Sequence, residues 1–231
     1  MEANKPFTGA VRISSEIIGL FPDLVVGYLD GNITNDAGDP VLWNRILERS
    51  KVIAGTMDEE SIRQVEGIKA GKQAYRQLGK DPNRYRLSAE ALMRRAVKGK
   101  ELYSISTAVD LLNFVSLTTG ITIGGFDGQK VIGDIELGIG SPGEEFIAIG
   151  RGPLNVENLP VYRDDLGAIG NPTSDSERTQ ITRSTEKVLM LITGFYGNQG
   201  IDLVLNQLTS LLTEFCNCTQ CRTKIILTAR Q

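Results

Sequence analysis

The chain has 231 residues, of which 41% are hydrophobic and 23% charged, and it carries a net charge of −3. That balance is ordinary for a globular protein, and a chain of this length can bury a core without disulfide or metal staples. It contains no histidine, which excludes Ser-His and Cys-His catalysis and any histidine-ligated metal. No apolar run is long enough to span a bilayer. The start, MEANKPFTGA, lacks the apolar stretch of a secretory signal, so the expected location is the cytoplasm, with no membrane partner.

Residues 10–30 read as two strands. The first holds Val11, Ile13, Ile17, Ile18 and Leu20, and the second is centred on Leu24 to Val26 and closed by the turn Asp30-Gly31-Asn32. Asp39-Pro40 marks a helix start, an N-cap followed by proline at the first helical position. Leu42, Ile46 and Leu47 form the stripe of this helix. A second helix is expected from Asp58 to Leu78, ended by Gly79, with a break at Gly67 or Gly71.

Residues 72–100 form a basic island. They hold nine Lys or Arg against two acids, so this segment is +7 and the remainder of the chain −10. Charge segregated in this way concentrates a positive field on one region and draws an anionic partner. Tyr75 and Tyr85 stand among the cations, as on an RNA-binding face. Ser88 is placed to cap a helix that ends before Gly99, with Leu92, Met93 and Ala96 on its apolar side and Arg94, Arg95 and Lys98 on its basic side.

The next expected helix, Ser106 to Thr119, is apolar on most sides and therefore buried. Asp110 and Asn113 share one of its faces; they either tie down neighbouring loops or line a pocket. Beyond Gly120 the apolar period becomes two. ITIGGFD, VIGDIELGIG, EEFIAIG and VYRDD read as strands, GAIGNPTSDSERTQIT as a loop, VLMLITGFY as a buried strand, GIDLVLNQLTSLLTEF as an amphipathic helix and KIILTA as a last strand. This order gives an α+β fold with a mixed sheet in a single domain, residues 1–231.

Three segments are candidates for chemistry. The loop from Gly170 to Thr179 gathers Asn171, Thr173, Ser174, Asp175, Glu177, Arg178 and Thr179 between strands. It is either a binding loop on a rigid sheet or a polar turn. Gly124-Gly125 marks either a bulge or a close approach of backbone to ligand. Cys216, Cys218 and Cys221 are too few to close a structural zinc site. A redox pair at the C-x-x-C spacing of Cys218 and Cys221 and a reduced loop are both open. No phosphate-binding loop or dinucleotide fingerprint is present, and no metal or other cofactor is expected.

The run YRQLGKDPNRYRLSAEALMRRAVKGK, followed by STAVDLLNFVSLTTGITIGGFD and then by GNPTSDSERTQIT and STEKVLMLI, resembles the central tRNA-binding and editing domain of the phenylalanyl-tRNA synthetase beta subunit, and more closely the free-standing proteins made of that domain alone. The resemblance covers roughly residues 10–215. It implies an α+β fold with a mixed, largely antiparallel sheet of barrel-like character, flanked by helices. It also implies a pocket between the sheet and residues 109–126 and 170–182. In the synthetase this domain hydrolyses tyrosine wrongly attached to phenylalanine tRNA, and a histidine precedes its Ala-Phe-Asp sequence. That position is Gly124 here, so this chain has a different residue set for the pocket; it also lacks the motifs of the synthetase's catalytic domain, so it is not expected to aminoacylate on its own.

Two functions follow. In the first, the chain hydrolyses the ester of a mischarged aminoacyl-tRNA in trans by positioning water. Arg76, Lys80, Arg84, Arg86, Arg94, Arg95 and Lys98 hold tRNA phosphates. Asp110, Asn113, Gly124, Gly125, Asn171, Thr173, Ser174 and Thr179 form the substrate pocket, with room for the acyl group beside Gly124. Asp175 and Glu177 act on the water. In the second, the chain is a non-catalytic module that binds an amino acid or an RNA element. The amino acid, the tRNA and the oligomeric state are not legible in the sequence.

Overall fold

The computed structural model describes residues 7–228. In chain order the elements are β1 (Val11–Ile13), α1 (Ser15–Leu20), β2 (Val25–Asn32), α2 (Pro40–Thr56), α3 (Glu59–Gln64), α4 (Glu66–Gln77), α5 (Ser88–Val97), α6 (Thr107–Thr119), β3 (Ile123–Asp127), β4 (Ile135–Ile139), β5 (Ile147–Ala148), β6 (Gly152–Pro153), β7 (Pro160–Asp164), β8 (Gly167–Asn171), β9 (Ser174–Asp175), a 3-10 turn (Glu177–Thr179), β10 (Lys187–Gly194), α7 (Ile201–Cys216) and β11 (Thr219–Leu227). The strands form a sheet ordered β11-β2-β10-β3, a second ordered β1-β4-β7-β8-β9, and the small pair β5-β6. β1 runs parallel to β4, and the other pairings are antiparallel. The class is α+β as expected; among the described residues no sheet closes into a barrel. No described helix is long and apolar enough to cross a membrane.

The four-stranded sheet is the middle of three layers, and its central strands β2 and β10 are buried on both faces, which is why they read as hydrophobic runs, whereas edge strand β11 is largely exposed. Val25, Leu29, Val188, Met190 and Ile192 point to one core, shared with Leu42 and Ile46 of α2, Leu111 and Val115 of α6, and Leu208 and Leu212 of α7. Val26, Tyr28, Leu189 and Leu191 point to the other, shared with Ile17, Ile135, Leu137 and Ile169. The alternation follows from the two-residue period of a strand.

Local signals explain most boundaries. Asp39 accepts from Val41 N at 2.8 Å and Leu42 N at 3.0 Å, with Pro40 leading α2; such a cap is worth about 1 kcal/mol. Gly120 ends α6 in the left-handed region at φ 71°, and a Cβ there would lie 2.2 Å from Val65 Cγ1.

Several expectations change. Residues 15–20 are a helix, not strand, because Ser14 caps it by accepting from Ile17 N. Of its apolar residues Ile17 is fully buried while Leu20 is exposed. Leu47 is also exposed, so the buried stripe of α2 is Leu42, Ile46 and Ile53. The break between α3 and α4 falls at Val65 rather than at a glycine; Gly67 instead allows Gly120 O to approach. Ser88 is the first residue of α5 and gives no side-chain cap; its N–H donates to Pro172 O at 2.9 Å. The segment read as a loop after Gly167 is the β8–β9 hairpin followed by the 3-10 turn.

Candidate functional site

The β8–β9 hairpin turns on Asn171-Pro172-Thr173-Ser174. Asn171 Oδ1 accepts from Thr173 N at 2.9 Å and Ser174 N at 3.2 Å, the side-chain-closed turn that Asn favours. This register sets Asp175 opposite Gly170 and sends its carboxylate to the outer edge of β3, where Gly125 N donates to Asp175 Oδ2 at 3.1 Å. The carboxylate thus serves Gly125 on the edge where Phe126 bridges Gln180.

Two glycines shape this contact. A Cβ on Gly170 would lie 2.9 Å from Asp175 Oδ1 and 2.7 Å from the Phe126 ring; one on Gly124 would lie 3.2 Å from Asp175 Oδ1 and 2.9 Å from Phe126 Cζ. The Phe126 ring, fully buried, therefore fills the space that both glycines leave. Burial pushes the Asp175 carboxyl up to about 7, against the lowering effect of the Gly125 N–H.

Beside Asp175 lies a cavity of about 240 Å³. Ile105, Val109, Leu112, Ile123, Ile149 and Ile181 give its apolar lining, and Ser88, Asn113, Asn171, Thr173, Ser174, Asp175 and Gln180 its polar one. Asn171 Nδ2 is buried and, among the described residues, has no hydrogen-bond partner. A buried amide donor of this kind is costly unless a ligand or water accepts from it.

The structure therefore brings together Asn113, Gly125, Asn171, Thr173, Ser174 and Asp175, and leaves other expected residues apart. Gly124 lies outside the lining, and the room expected beside it is occupied by Phe126. Glu177 is exposed and faces a separate open groove of about 990 Å³, together with Glu144, Leu166 and Arg178. Thr179 is fully buried outside the lining, and its hydroxyl is likewise unpartnered among the described residues. Asp110 accepts from Ser104 Oγ at 2.5 Å and Ile105 N at 2.9 Å. It anchors the loop that carries the Ile105 wall, the first of its two readings; burial raises its pKa.

The basic island divides in two. Glu90, with no exposed surface, accepts from Lys72 Nζ at 3.1 Å and Arg94 Nε at 2.9 Å. Arg94 also pairs with Glu59, and Lys98 with Glu59 at 2.8 Å. Arg94 is buried, so it belongs to an internal ion cluster and not to the expected basic face. Tyr75 is also buried, and its OH lies 3.0 Å from Thr173 Oγ1. The outward cations are Arg76, Lys80, Arg84, Arg95, Lys98 and Lys100, while Arg86 is half-exposed, with its buried Nε 4.0 Å from Glu90. Lys80 Nζ and Arg84 Cζ lie 4.9 and 5.8 Å from the Tyr85 ring centre. Arg95 lies over Tyr103 and donates to Glu101 O at 2.6 Å.

Ser88, Ile105 and Ile149 of the lining lie outside the segments 109–126 and 170–182 expected to form the pocket. Their distance along the chain from the hairpin hides them, and only the packing of α5, α6 and the β5–β6 segment against it collects them.

A family model described as the B3/4 domain matches residues 70–217. No curated protein matches the chain. Among solved structures, an N-terminal fragment of the phenylalanyl-tRNA synthetase beta subunit from Pyrococcus horikoshii is similar to it, with a TM-score of 0.45 and 17% identity over 97% of this chain and 52% of that one. The chain spans about half the length of that structure.

Proposed function

Because the chain belongs to the B3/4 domain family, a domain found in phenylalanyl-tRNA synthetase beta subunits, we propose that it acts in trans as a free-standing editing-like hydrolase on the ester of a mischarged aminoacyl-tRNA. The observation that carries this reading is the pairing, in one cavity, of an Asp175 carboxyl raised to about 7 with an unsatisfied Asn171 amide. A carboxyl of that pKa is a general base matched to neutral pH. Asp175 takes a proton from water as the water oxygen attacks the ester carbonyl. Asn171 Nδ2 donates to the oxyanion that forms. As the intermediate collapses, the terminal ribose hydroxyl leaves and recovers the proton from Asp175. No covalent enzyme intermediate and no histidine are needed.

The cavity, about 240 Å³, is smaller than the usual drug-sized site of about 300–1,000 Å³ and suits one aminoacyl side chain. The outward cations Arg76, Lys80 and Arg84, with the exposed end of Arg86, supply the phosphate-binding surface, which adjoins the cavity through Ser88 and Tyr75. Glu177, on the other groove, has no part in the step.

The test is first-order deacylation of a full panel of correctly and wrongly charged tRNAs. At least one ester should be cleaved, and Asp175→Asn should slow it by about 10²-fold or more. No turnover across the panel, or equal rates for the variant, would falsify the hydrolase reading. The same two groups also match the ammonium and carboxylate of a free amino acid, which favours a binding module as the second reading. Thermal stabilisation by an amino acid, without hydrolysis of its ester, selects that alternative.

A further inference from the structure

The three cysteines lie far from the cavity lining, at the junction of α7 and β11. Asn217 ends α7 at φ 48°, and Gln220 follows at φ 51°. Two non-glycine residues in the left-handed region within four positions are uncommon and make a tight double turn. Cys218 N donates to Leu212 O at 3.1 Å, and Gln220 Oε1 accepts from Asn32 Nδ2 at 3.1 Å, so both sides of the turn are fastened.

β11 then enters the sheet through a bulge. Thr219 pairs with Asn32 and Arg222 with Asp30, so Gln220 and Cys221 together stand opposite the single residue Gly31. A Cβ on Gly31 would lie 2.5 Å from Cys218 Sγ and 3.4 Å from Cys221 Cα. The missing side chain lets the Cys218 sulfur fold back over β2 to the bulge that holds Cys221. Both residues are half-buried, whereas Cys216 is buried. The proximity of the two thiols lowers that of Cys221 and raises that of Cys218, and Asp30 opposes ionisation of both. Burial pushes Cys216 up to about 12, which makes it the unreactive member.

We propose that Cys218 and Cys221 are a reversible redox pair that closes to an intramolecular disulfide by exchange with a low-molecular-weight disulfide. The Cys221 thiolate attacks one sulfur of the small disulfide, forming a mixed disulfide and releasing one small thiolate. Cys218 then loses its proton to a released thiolate and attacks Cys221 Sγ, expelling the second. Two protein thiols are oxidised and one small disulfide is reduced to two thiols; excess small thiol reverses both steps. The bond formed would tie the end of α7 to the bulge of β11.

The experiment exposes the full chain to oxidised glutathione, quenches with acid, unfolds and alkylates it with iodoacetamide, and locates each cysteine by tandem mass spectrometry. The wild-type chain should show a Cys218–Cys221 bond with Cys216 alkylated, and dithiothreitol should reverse it. Cys218→Ser should stop at a lasting glutathione adduct on Cys221. Gly31→Ala should close about tenfold more slowly or worse, because its Cβ displaces the Cys218 sulfur. The wild-type result needs no variant to fold. Persistent adducts in the wild type, a bond that includes Cys216, or three unreacted thiols would overturn the proposal.

Discussion

The hydroxyl of Tyr75, near the start of the basic island, lies 3.0 Å from the hydroxyl of Thr173 in the turn of the β8–β9 hairpin. Both side chains are buried. A residue that looked like part of an RNA-binding face is instead the strut that joins that face to the candidate site.

Tyr75→Phe should therefore act on the hairpin. It leaves the Thr173 hydroxyl buried without its partner, at a cost of about 1–3 kcal/mol. Urea unfolding would read that loss. An unchanged midpoint would show that the strut carries no weight.

Asp175→Asn should change stability with a definite pH dependence. The folded pKa of Asp175, about 7, exceeds the ordinary value of 3.8, so the folded chain holds this proton more tightly than the unfolded one. Stability is therefore lost as pH rises between those two values, and the variant avoids the loss. Melting curves should show Asp175→Asn gaining roughly 1–3 kcal/mol over the parent at pH 8, and less at pH 5. Deacylation by the parent should rise with pH through about 7 and then level off.

Arg84→Ala and Arg76→Ala should each weaken tRNA binding and reduce the salt dependence, d log K/d log [salt], by about 1. Arg94→Ala should behave differently. It removes a buried partner of Glu90 and Glu59, so it should destabilise the fold by about 3 kcal/mol or more. Filter binding over a salt series, beside chemical denaturation, separates the two classes.

How much of this was legible in the sequence depends on how far apart the deciding residues lie. The cap at Asp39-Pro40, the end of α6 at Thr119 and the buried strand β10 are local patterns, and they read correctly. The α+β order read correctly for the same reason. Residues 15–20 misled because Ile17, Ile18 and Leu20 fit either period, and a single hydroxyl, that of Ser14, decided between them. β8 and β9 were hidden because Gly167, Gly170 and Pro172 look like loop residues; the fold needs Gly170 to seat Phe126 and Asp175, and Gly167 to take a φ of 123° at the start of β8. Charge counting found the basic island but not its division, since nothing adjacent to Arg94 announces that Glu59 will reach it. Of the site, the hairpin side was visible as a cluster of polar types, while Ser88, Ile105 and Ile149 were not.

Gly124→Ala tests the corrected reading of the glycine pair. Its Cβ would press on Phe126 and Asp175, where crowding in a filled core costs about 1–3 kcal/mol. A thermal melt should show the loss, and deacylation should fall with it. A variant as stable as the parent would mean that the space beside Gly124 is open after all.

The cavity draws its two kinds of lining from different parts of the chain. Asn171 to Asp175 supply most of the polar groups from one hairpin, while Ile105, Val109 and Leu112 supply much of the apolar wall from α6 and the loop before it. Sequence drift in residues 105–112 can therefore alter the size and shape of what is accepted while the carboxylate stays on its β3 anchor.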